Sequence, residues 1–111
     1  MLDWDRVQSE ASAIVGERPA EYDAATRQNL TQLIDLLRTT RRPAPELVPG
    51  YWPTFRVTWV APGCENLEIE VFGDRYEVYR FFEGKTDIWD EDHQPGGSFS
   101  AAFLAELPEP I

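Results

Sequence analysis

The clearest pattern in the chain is an alternation of apolar and polar residues from Phe55 to Trp89. A period of two is typical of strands that bury one face and expose the other. Turn-forming residues interrupt the alternation at 61–65, 73–74 and 83–85. The sequence therefore predicts a four-strand antiparallel meander.

The Gly73-Asp74 pair, with glycine first, predicts a two-residue hairpin loop that sets the register of the strands beside it. Ile69 then lies opposite Val78 on one face. Val57 is expected beside Ile69, because that placement gives the first hairpin a matching apolar face. Trp89 falls on the same face, which we predict to be the core.

Apolar residues at helical spacing precede the meander. A first helix is predicted over roughly residues 4–15, with Asp3 as its N-terminal cap and Gly16 just past its end. A second helix is predicted from about residue 19 or 20 to residue 40. Its leucines are the expected cover for the apolar face of the sheet.

Prolines at 43, 45, 49 and 53 exclude a helix and predict a stiff linker. After the meander, Ser98 or Ser100 is expected to cap a short closing helix. The prediction is a single α+β domain, with two N-terminal helices, a short C-terminal helix and a four-strand antiparallel meander sheet. Its parts are a helical region 1–42, a Pro-rich linker 43–53, a β-meander 54–90, and a loop with a C-terminal helix over 91–111.

The second face of the predicted sheet is acidic in the middle and aromatic at its ends. The register puts Glu70 opposite Glu77, and like charges in such a pair destabilise a sheet. Arg56 is expected beside Glu70, which gives a row of Arg56, Glu70 and Glu77 across the middle of the face. This face is either ordinary solvated surface or a recognition surface, in which aromatic groups supply contact area and carboxylates attract a basic protein. The candidate partner-binding residues are Arg56, Glu68, Glu70, Glu77, Tyr79, Phe81 and Ile88.

The formal net charge of −10 favours basic partners or cations over nucleic acid and anionic lipid. Acidic surfaces also keep proteins soluble, which is the simpler interpretation of the same charge. We expect no nucleic-acid or membrane partner. The chain has no apolar run of membrane-spanning length and its first residues lack signal-peptide features, so a cytoplasmic location is expected.

Candidate chemistry is sparse. The acids between Asp87 and His93 either form a solvated loop or bind a divalent cation weakly; Pro95 stands where a calcium loop requires glycine. His93 is the only histidine and Cys64 the only thiol. Cys64 is next to a carboxylate instead of the base that activates a thiol. No catalytic residue, metal or cofactor is predicted, and the chain is not expected to be an enzyme.

Several short motifs follow one another between residues 20 and 82. They are a helix, Pro43-Ala44-Pro45, the run Phe55-Arg56-Val57-Thr58-Trp59 and the run Leu67-Glu68-Ile69-Glu70. Their order resembles small uncharacterised bacterial proteins in which a strand ending in Trp precedes a strand rich in Leu, Glu and Ile. The resemblance implies a small accessory protein and supplies no catalytic residues.

The sequence thus predicts an acidic protein-binding module, in the manner of immunity proteins or antitoxins that neutralise a basic partner such as a nuclease. This expectation rests on analogy of class. The alternative is a small-ligand-binding or regulatory domain. Its pocket would lie between helix and sheet and be lined by Trp59, Tyr76 and Trp89.

Overall fold

Three helices and one five-strand sheet form the fold of residues 3–111, which the computed structural model describes. The helices are α1 (Asp3–Glu17), α2 (Ala24–Thr39) and α3 (Ala101–Glu106). The strands are β1 (Glu46–Pro49), β2 (Phe55–Thr58), β3 (Leu67–Val71), β4 (Arg75–Phe82) and β5 (Lys85–Asp92). All neighbours are antiparallel, in the order β1-β2-β3-β4-β5. The α+β class and the order of helices are confirmed.

The predicted number of four strands was wrong, because part of the predicted linker is strand β1. Gly50 N–H donates to Thr54 O (2.9 Å) at the end of the ladder between β1 and β2. Along an antiparallel strand every second residue bonds to the same neighbour, so the backbone groups of Pro45, Leu47 and Pro49 point away from β2. Proline is tolerated in an edge strand where its missing N–H would have faced outward. The prolines therefore mark an edge strand here.

The predicted register of the meander is confirmed. Ile69 lies opposite Val78 and beside Val57, and Trp89 lies across from Val78. These positions form the apolar face, which packs on the helices. The fully buried side chains of the core include Val7, Leu33, Leu37, Phe55, Val57, Ile69, Val71, Tyr76, Val78 and Phe103. Burying each large apolar side chain stabilises the fold by about 1.5–3 kcal/mol.

Helix boundaries differ from the prediction at two places. Helix α1 continues through Gly16 to Glu17, so that glycine lies inside the helix, and Asp3 belongs to its first turn. Helix α2 begins at Ala24, because the carboxylate of Asp23 accepts a hydrogen bond from Thr26 N (2.8 Å) and caps it. At the other end of the chain, Ser100 caps α3, as one of the two predicted alternatives.

Candidate partner-binding surface

The outer face is the side of the sheet that points away from the helices. It carries the polar positions of the strand alternation, and it holds more acids than bases. The acids are Glu46, Glu68, Glu70, Glu77, Asp90 and Asp92, and the bases are Arg56 and Arg75.

The predicted row across the middle of this face is present. Glu70 lies opposite Glu77, and Arg56 lies beside Glu70. The charge of Arg56, however, is directed elsewhere: its Nε is 3.3 Å from Glu68 Oε1, and its guanidinium lies over the Tyr51 ring at 4.9 Å from the centroid. The opposed carboxylates of the row are therefore held by other groups.

Glu70 is buried, with 2% of its surface exposed. Its Oε2 accepts hydrogen bonds from the Thr54 hydroxyl and from Tyr51 N (3.3 Å), both in the loop between β1 and β2. Gly50 begins this loop, and a Cβ there would lie 1.9 Å from Thr54 Oγ1, so the backbone approaches too closely for any side chain. Glu70 thus anchors the loop over the outer face and is covered by it.

Glu77 uses both of its carboxylate oxygens within the sheet. Oε2 pairs with Arg75 Nη2 (3.0 Å), and Oε1 accepts a hydrogen bond from the Tyr79 hydroxyl (2.7 Å). Burial and this bond to Glu77 raise the pKa of Tyr79, which keeps the phenol protonated as the donor. Arg75, which the sequence prediction did not include, therefore neutralises the charge of Glu77.

The apolar members of the predicted set lie together at one end of the outer face. The rings of Tyr79 and Phe81 are stacked, with centroids 6.4 Å apart and an interplanar angle of 11°. Ile88 lies across from Tyr79 on β5. Phe81 is 41% exposed and Ile88 59% exposed. These three side chains, here called the apolar strip, are accessible to a partner.

Sequence reasoning missed two groups of exposed residues, one on β5 beside this strip and one in the β1–β2 loop at the other end of the sheet. Asp90 and Asp92 continue the alternation of β5 onto the outer face, although residues after Asp90 were predicted as loop. Glu91, between them, points to the other face, and this period of two was a usable signal. Tyr51 and Trp52, each 71% exposed, lie in the β1–β2 loop that was predicted as linker.

The residues of the alternative ligand pocket pack against their neighbours in the core. Tyr76 is fully buried and its hydroxyl donates to Asn29 O (2.6 Å). Trp59 is also buried, and its Nε1 donates to Pro43 O (3.0 Å). The Trp89 ring meets Phe103 edge-on at 6.4 Å. Tyr76 and Trp59 thus have hydrogen-bond partners within the core, and Trp89 is partly buried against it.

His93 and Glu91 have structural partners. His93 is buried, stacks on Phe99 at 4.6 Å between centroids, and has Nε2 2.9 Å from Gln32 Oε1. Its burial lowers the pKa of the imidazole. The Glu91 carboxylate accepts from Ser100 N (2.9 Å) and Ser100 Oγ (2.8 Å) at the start of α3. Both residues position the C-terminal segment.

Among residues 3–111, no group of three or more His, Cys, Asp and Glu side chains is arranged to hold a metal ion. None of the helices described in that range is long and apolar enough to cross a membrane.

Comparison of the chain with protein-family models, with curated proteins and with solved structures gave no match.

Proposed function

We propose that this chain is a small acidic protein-binding module that neutralises a basic protein partner, as immunity proteins and antitoxins do. The observation that carries the proposal is the apolar strip on the outer face, in which Phe81 and Ile88 are exposed, Tyr79 is half-buried, and carboxylates flank all three. Exposed apolar side chains rimmed by charge are typical of interaction surfaces.

The flanking acids are of two kinds. Glu77 is already neutralised by Arg75, and Glu70 is covered by the β1–β2 loop. Asp90 and Asp92 are exposed, and Arg75, the base across from Asp92, is bound to Asp74 and Glu77. The charge available to a partner therefore comes from β5, beside Ile88.

The proposed mechanism has two steps. The overall charge of −10 speeds the encounter with a basic protein, and this attraction falls as salt screens it. The apolar strip then gives contact area that slows dissociation. Inhibition follows if the basic surface that is covered is the partner's substrate-binding surface.

The test is binding to a panel of purified basic proteins of nuclease size, including the products of genes next to this chain's own gene. Titration calorimetry at low and high salt gives the affinity and its salt dependence. The variant Asp90→Asn with Asp92→Asn should weaken binding by about tenfold at low salt and by less at high salt.

The matched control is Asp5→Asn with Glu109→Gln, which changes the net charge equally at exposed positions outside the outer face. It should bind almost as well as the unmodified chain. An equal loss in both variants would show that only net charge matters, and the outer face would then be ordinary surface.

A further inference from the structure

The two edge strands of the sheet, β1 and β5, differ in whether their outward backbone groups have hydrogen-bond partners. At the β1 edge, Leu47 N–H donates to Glu10 Oε1 (3.0 Å), and Pro45 O accepts from Arg6 Nη2 (3.0 Å). Pro45 and Pro49 have no N–H to offer. Side chains of α1 and the prolines therefore close this edge against another strand.

The β5 edge is open. His93 N–H donates to Asp74 O (2.9 Å) at the end of the β4–β5 ladder. Because donors alternate along an antiparallel strand, the backbone groups of Thr86, Ile88, Asp90 and Asp92 point away from β4. Within residues 3–111 we find no hydrogen bond to these outward groups. They form a regular row of free donors and acceptors.

We propose that β5 binds an extended basic segment of the partner, which adds to the sheet as a sixth strand. This inference rests on the proposed function and specifies how the partner is held. Main-chain hydrogen bonds to the outward groups of β5 would provide affinity, and alternating side chains would provide specificity.

The negative charge of β5 favours a basic strand over a second copy of β5 as its partner. β5 carries Asp87, Asp90, Glu91 and Asp92 against the single base Lys85. A second copy of β5 would bring the same excess of negative charge against it, which disfavours self-pairing. A strand with basic residues on both faces instead meets Asp90 and Asp92 on the outer face and Asp87 on the other.

The exposure of Ile88 also favours an added strand from a partner at this edge. Ile88 is 59% exposed, and its backbone is one of the outward groups. An added strand would cover its side chain together with the row of free N–H and C=O groups. Apolar contact, hydrogen bonding and charge therefore coincide along β5.

The probe for the test is a synthetic peptide as long as β5 in which pairs of lysines alternate with pairs of threonines, so that lysine stands on both faces of the extended peptide. Threonine favours extended backbone and keeps the peptide soluble. A second peptide of the same sequence is N-methylated throughout, which keeps its charge and removes its N–H donors. Affinities are measured by titration, and amide hydrogen exchange is followed by nuclear magnetic resonance.

Strand addition predicts two results. The amides of Thr86, Ile88, Asp90 and Asp92 should exchange at least about tenfold more slowly with the first peptide bound, because they become hydrogen-bonded. The methylated peptide should bind about tenfold more weakly, since its donors are missing. The amide of Leu47, on the closed edge, provides the internal control and should not change.

A matched pair of variants tests the same edge from the protein side. Ile88→Pro removes one outward N–H, whereas Ile88→Ala shortens the side chain and keeps that N–H. The proline variant should bind the first peptide several-fold more weakly than the alanine variant. Urea unfolding checks that both are folded, and the exchange measurement on the unmodified chain needs neither variant.

The outcomes separate the two proposals. If both peptides bind equally and the four amides exchange as in the free protein, strand addition is wrong while charge-based binding stands. If neither peptide binds but a folded basic protein binds with the expected dependence on Asp90 and Asp92, strand addition is again wrong. If no basic protein binds, the proposed function fails, and this inference fails with it.

Discussion

Replacing Glu70 by alanine should destabilise the fold, whereas the same change at its neighbour Glu68 should have little effect. The two residues alternate along one strand and were both predicted from the sequence as partner-binding acids. In the structure, Glu70 is buried and anchors the β1–β2 loop, while Glu68 is half-buried beside Arg56. The comparison therefore separates a structural carboxylate from a surface one.

The magnitude follows from the contacts of Glu70. Its carboxylate accepts from the Thr54 hydroxyl and from Tyr51 N, and hydrogen bonds to a charged group contribute about 1.5–3 kcal/mol each. Removing Glu70 also relieves its repulsion with Glu77, which returns about 0.5 kcal/mol. The net loss is at least about 2.5 kcal/mol, which corresponds to a melting temperature lower by at least about 10 °C for a domain of this size.

The loss at Glu68 should stay below about 1 kcal/mol, because only a partly exposed ion pair to Arg56 is removed. Urea unfolding followed by tryptophan fluorescence measures the free energy of unfolding of both variants, and the dependence of that free energy on urea concentration should be the same as in the unmodified chain. A double-mutant cycle with Thr54→Val should give a coupling free energy of about 1 kcal/mol or more with Glu70→Ala. Equal losses at Glu68 and Glu70, or zero coupling to Thr54, would refute the assignment of Glu70 as a loop anchor.

Three further outcomes are expected. Asn29→Leu should lower the free energy of unfolding, measured in urea, by about 2–4 kcal/mol. The reason is that Asn29 Nδ2 donates to two main-chain carbonyls, those of Phe72 (2.9 Å) and His93 (3.3 Å). The control Gln28→Leu, at an exposed position, should be near neutral. Burial lowers the pKa of His93, so as the pH falls this histidine is protonated in the unfolded chain before it is protonated in the folded one. The free energy of unfolding should therefore keep the whole contribution of His93 above about pH 6.5 and decrease as the pH falls below it. His93→Gln should flatten that part of the pH profile, and an unchanged slope would contradict the assignment. Phe81→Thr with Ile88→Thr should change stability by less than about 1 kcal/mol yet weaken binding to a basic partner in titration calorimetry.

The sequence allowed the centre of the sheet to be predicted well. The two-residue loop at Gly73-Asp74 lies where it was predicted, although Gly73 does not have the positive φ that a turn with glycine first requires. A shift of one residue would turn Ile69 and Val78 away from the core. The position of the loop and the burial of one face therefore agree on a single register. The opposition of Glu70 and Glu77 follows from that register, and it too was correct.

Edge features were harder to predict, because their determinants lie far apart in the chain. Strand β1 contains prolines, and whether a proline fits in a strand depends on which side its nitrogen faces. Its outward groups are satisfied by Arg6 and Glu10 of α1, at a sequence separation of 39 and 37 residues. No local pattern contains that information. Sequence alternation likewise could not show that Arg56 pairs with Glu68 instead of with the central row.

The acids of β5 and the apolar strip have different weight for the function. An open strand edge invites pairing with other copies, and charged residues along it oppose this whether or not a partner exists. Asp90 and Asp92 are therefore explained by edge protection alone. Exposed Phe81 and Ile88 have the opposite effect, because apolar side chains beside a free edge favour unwanted association. Edge protection does not account for them, which is why the proposed function rests on the apolar strip and not on the acids of β5.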